Sequence, residues 1–159
     1  MTLTVTAADE RFYRAQDTLD FLLAHGGTAH VWGSTVTVPV ERRFGDLEGV
    51  RRYLAALRAT SWGHPDTPAP QVRCRAGAVN VAHWQAPDII ALPVGRGLDG
   101  RQMLREHIVV HEYAHHVTWH EHGATGHGAV FQDIYLDLLE HAIGAEAAFI
   151  LRAALHPDT

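Results

Sequence analysis

The chain has 159 residues, 47% apolar and 19% charged, a composition that suits a folded domain burying roughly two thirds of its unfolded surface and argues against disorder. Its formal charge of −5 gives no global basic field for nucleic acid or anionic membranes, leaving only a local arginine patch open. The single cysteine, Cys74, excludes an internal disulfide or cysteine zinc ribbon, and no signal peptide or ~20-residue apolar span is present, so the expectation is one cytoplasmic domain over residues 1–159.

The first predicted element is an amphipathic helix in AADERFYRAQDTLDFLLAHGG. Phe12, Ala15, Leu19, Leu22 and Leu23 recur at helical spacing, Asp9 is the expected cap, and Gly26 and Gly27 stop it. STVTVPV, rich in β-branched residues, reads as a short strand. GDLEGVRRYLAALRAT carries a second helix with Val50, Tyr53, Leu54 and Leu57 on one face and Asp46 as N-cap, followed by the proline-rich loop GHPDTPAP. VRCRAGAVNVAHW and IIALPVG read as extended segments joined through a QAPD hairpin turn, and together with STVTVPV they form one small sheet.

After the glycines of GRGLDG, the stretch RQMLREHIVVHEYAHHVTWHEHG reads as a long helix, mostly buried and ended at Gly123. GATG links it to a helix in HGAVFQDIYLDLLEHAIG, and AEAAFILRAALH supplies the last one. The order predicts an α+β fold in which a small, mainly antiparallel sheet packs on a buried central helix with flanking helices.

Six of the thirteen histidines fall in HEYAHHVTWHEHGATGHGAVF, residues 111–131. His111, Glu112 and His115 form H-E-x-x-H, and on a helix two histidines four apart share a face, about 6 Å apart along the axis. At this chain's own composition the pattern arises by chance about 0.05 times, which makes coincidence the weaker account. Imidazoles there can share one ion, and a glutamate next to the first ligand can reach a metal-bound water. A catalytic zinc site usually takes a third protein ligand, so the downstream residues His120, His122, His127, Asp133 and Glu140 are all open.

These residues resemble the zincin metallopeptidases, and HGAVF, His127 to Phe131, resembles the H-G-x-x-F signature of the SprT and Spartan-like branch. The metzincin pattern H-E-x-x-H-x-x-G-x-x-H is not met, because Thr118 and Glu121 stand at its glycine and third-histidine positions. The resemblance implies a zincin-like fold, zinc (Zn2+) held by His111, His115 and His127, and Glu112 as the catalytic general base. It runs from about Val79 to Leu139 and implies an edge strand at IIALP, along which a peptide or protein substrate would lie extended. The chain is also similar to a group of actinobacterial metallohydrolase-like proteins. It departs from SprT and Spartan proteins in having no cysteine zinc ribbon and no basic DNA-binding extension, so the resemblance does not carry their DNA-linked proteolysis.

The expected function is therefore peptide hydrolysis by a zinc-activated water. Two alternatives stand beside it: a noncatalytic zinc-binding or interaction domain closed by a fourth protein ligand, and a zinc hydrolase acting on something other than a peptide. His107 reads as a partly buried histidine or proton relay, and His116, His120 and His122 as solvated. Trp119 and Tyr135 read as packing residues, Cys74 as a plain strand residue, and Arg73 and Arg75 as a solvated face.

Overall fold

The expected α+β class is present in the computed structural model. Among the described residues, 5–75, 81–94 and 104–158, five helices accompany a two-stranded antiparallel sheet and a three-stranded mixed one. Residues 76–80 of the expected extended segment, the GRGLDG glycines and the expected helix start at residues 101–103 lie outside the described residues. No helix among the described residues is long and apolar enough to cross a membrane. The chain divides into two compact units, Met1–Val40 with Gly126–Thr159, and Glu41–Thr125.

In the first unit, α1 (Ala7–His25) buries Phe12, Ala15, Leu19 and Leu23. Its N-cap is Thr6 and not Asp9: the Thr6 hydroxyl accepts the Asp9 N–H while the Asp9 side chain accepts from the Thr6 main chain, a reciprocal capping box. Strands β1 (Thr28–Val31) and β2 (Ser34–Thr37) pair antiparallel, Val31 opposite Ser34. Their two-residue turn, Trp32–Gly33, takes positive φ at both positions (49° and 74°), as the twist of a tight hairpin requires. STVTVPV thus pairs with TAHV in its own hairpin and does not join the other strands. Helices α4 (Ala129–Ala142) and α5 (Ala145–Leu155) complete the unit, α5 packing on both α1 and α4.

In the second unit, α2 (Leu47–Arg58) begins at Asp46, whose carboxylate accepts the Gly49 N–H at 2.8 Å as expected. The expected VRCRAGAVNVAHW segment contains two strands, β3 (Gln71–Cys74) and β4 (His83–Gln85), and β5 is Ile89–Leu92. The expected hairpin is present between β4 and β5, but β3 pairs parallel to β5, so the order is β3-β5-β4. IIALP is therefore the central strand and not an edge: Ile90, Ala91 and Leu92 are all buried, the continuous apolar run of a strand covered on both faces. The end strand next to the histidine-bearing helix is β4.

That helix, α3 (Glu106–His122), packs on β4 and is ended by Gly123 at φ 63°, whose N–H returns to the Trp119 carbonyl. Its N-cap, Arg105, makes no side-chain cap bond. The orphan donors are taken from outside: Glu41 accepts the His107 N–H at 3.0 Å, and the Arg42 carbonyl accepts the Glu106 N–H at 3.0 Å.

Candidate metal centre

One helical turn separates His111 from His115, and both rings sit half-buried on the same face of α3. Their Nε2 atoms are 3.2 Å apart. Two donors bound at ~2.05 Å to a tetrahedral ion stand ~3.3 Å from each other, so this pair already has the spacing of ligands on one metal. The His115 ring is backed by the Trp84 indole, with centroids 6.3 Å apart and planes at 20°, and Trp84 in turn meets Trp119 at 5.9 Å.

Glu112 is buried between these two half-exposed neighbours. Burial pushes its carboxyl up to about 8, against the Trp84 main-chain N–H and the Arg75 charge, which both pull it down. Arg75, expected on a solvated face or against an acidic partner, contributes to the field at the glutamate.

His127 lies in the first unit, immediately before Gly128, the N-cap of α4. Its ring is buried against Phe12, stacked at 4.5 Å with planes 7° apart, and met edge-on by Tyr13 and Phe131, each at 5.0 Å. Its Nδ1 faces Asp9 Oδ1 at 3.3 Å, and its carbonyl accepts from Gln132 Nε2 at 2.8 Å. Burial lowers the imidazole's proton affinity, with Asp9 opposing, a direction that favours the neutral ring a metal ligand requires. The Asp9 carboxyl is held below its ordinary value, chiefly by the Thr6 hydroxyl.

The ligand nitrogens of His111, His115 and His127 all lie within 4.8 Å of one another, a group that could hold a metal ion. His120, His122, Asp133 and Glu140 do not belong to it. Three imidazoles suit zinc and several other divalent first-row ions.

The other histidines of α3 have different tasks. His107 is fully buried and donates through Nδ1 to Glu41 Oε2 at 2.7 Å. His116, expected to be solvated, is also fully buried: its Nε2–H donates to the Pro68 carbonyl at 2.7 Å and its ring stacks on Tyr113, because the proline-rich loop covers that side of the helix. Tyr135 is a packing residue, buried among Phe12 and Phe131.

Asp9, Glu41 and Trp84 went unnoticed as site or support residues in the sequence. None carries a local signal, since each acts on a residue far away in the chain. No protein-family profile matches this chain, and no curated protein or solved structure is significantly similar to it.

Proposed function

We propose that this chain is a zinc-dependent hydrolase of zincin type that cleaves peptide bonds, with His111, His115 and His127 holding the ion and Glu112 moving the proton. The reading is supported above all by three histidine nitrogens within 4.8 Å of one another, two of them flanking a buried glutamate in the chain. A zinc ion bound by them would supply Lewis acidity, polarising the scissile carbonyl and acidifying a water.

The chain's own residues do the rest. A buried carboxylate next to the ligand histidines can take a proton from a water and give it to a leaving amine, which is the task assigned to Glu112. Structural zinc usually takes four protein ligands, so a group of three donors among the described residues favours catalysis over a purely structural ion. The outer side of β4 has no strand partner among the described residues, an edge of the kind on which an extended peptide can add a strand, which favours a peptide over a compact substrate.

The test combines metal content and turnover. After treatment with a mild chelator, wild type is expected to retain one zinc per chain by mass spectrometry, and His127→Ala to lose or greatly weaken it. Glu112→Gln is expected to keep the zinc and lose about a hundredfold or more of peptide hydrolysis. Wild type without stoichiometric metal, or Glu112→Gln with full activity, refutes the reading.

A further inference from the structure

His127 stands between two glycines, one of them Gly126 at φ 81°, so the local backbone does little to fix its ring. What fixes it comes from α1. Phe12 lies flat against the imidazole, and Asp9, three residues earlier and hence on the same helix face, presents a carboxylate oxygen to Nδ1. The two oxygens of Asp9 are divided: Oδ2 accepts the Thr6 hydroxyl at 2.6 Å and the Thr6 N–H at 3.2 Å, leaving Oδ1 for His127. A carboxylate only accepts, so the shared proton sits on Nδ1 and the lone pair on Nε2.

We infer that Asp9 is a positioning residue for the metal centre: it selects the His127 tautomer that exposes Nε2, orients the ring, and raises its strength as a donor. The inference rests on the reading of His127 as a ligand. Carboxylates in this role change metal affinity by about 10- to 100-fold when removed. Thr6 serves the helix start and touches only the other oxygen, so it separates capping from positioning.

The experiment is a zinc titration of the full chain against a chromophoric chelator at fixed pH, for wild type, Asp9→Asn and Thr6→Ala. Visible spectra of the cobalt(II)-substituted proteins and melting curves in chelator accompany it. Wild type is expected to bind one equivalent. Asp9→Asn is expected to bind about 10- to 100-fold more weakly and to show an altered cobalt spectrum. Thr6→Ala is expected to melt earlier yet keep the wild-type affinity and spectrum. Should Asp9→Asn fail to fold, Asp9→Glu, which keeps the acceptor, is expected to restore the wild-type spectrum; an unrestored spectrum overturns the inference. Wild-type affinity in Asp9→Asn, or an equal loss of affinity in Thr6→Ala, also overturns it while leaving His127 a ligand. Absence of zinc binding in wild type overturns the proposed function and this inference together.

Discussion

Replacing Glu41 by alanine should cost this protein much of its stability, and the reason is countable. Its carboxylate accepts Arg105 Nε at 2.6 Å, His107 Nδ1 at 2.7 Å and the His107 main-chain N–H at 3.0 Å. The side chains involved are 2% exposed for Glu41, 5% for Arg105 and 0% for His107. Removal takes a shared acceptor from a guanidinium and two N–H donors buried together at the start of α3, a helix with no side-chain cap of its own. Breaking a buried ion pair by deleting one partner costs about 3–5 kcal/mol, a large share of the roughly 5–15 kcal/mol available to a domain.

The assay is denaturant unfolding in chelator, where no bound metal adds stability by mass action. Burial alone would raise the Glu41 carboxyl, but His107 and Arg105 outweigh it and hold the group below its ordinary value of 4.5. A folded value below the unfolded one makes this contribution complete above the unfolded value, and it is lost as pH falls through the folded one. Wild type and Glu41→Ala should therefore differ most near neutrality and converge in acid. A neutral-pH loss below about 1 kcal/mol, the range of an exposed pair, would refute the reasoning.

Gly63→Ala should fail to fold or lose at least about 3 kcal/mol, because its added Cβ would stand 1.8 Å from the Leu57 carbonyl oxygen and 2.7 Å from its carbon. A melting temperature equal to wild type would disprove that contact. Tyr113→Phe removes the hydroxyl that donates to the Gly63 carbonyl at 2.7 Å and should cost about 1–2 kcal/mol in the same unfolding assay. An unchanged denaturation midpoint would show that the carbonyl finds another donor.

How much of this was legible in the sequence depended on distance along the chain. The His111–Glu112–His115 pattern and the αL stop at Gly123 are local, and each could be read from spacing alone. The same holds for the Asp46 cap, whereas the cap of α1 was displaced by three residues because Thr6 and Asp9 bond reciprocally and either reads as a starter. The β1–β2 hairpin was missed because TAHV is short and its turn, Trp32–Gly33, lacks the usual asparagine or aspartate at the first position. Ile89–Leu92 carried a usable signal, an unbroken apolar run, yet the family resemblance had assigned it to an edge. Nothing near Asp9 announces His127, and nothing near His116 announces Pro68; such contacts exist only once remote segments meet.

The division of the chain has a consequence for how it emerges from a ribosome. Glu41–Thr125 is one continuous stretch of chain, whereas the unit of Met1–Val40 is finished only by Gly126–Thr159. Throughout that interval α1 carries Phe12, Ala15 and Leu19 with none of Phe131, Tyr135 or α5 to cover them. Helix α1 is made well before the segments that cover it, so a nascent chain stalled before Ala145 offers chaperones and proteases an apolar stripe that the finished protein hides.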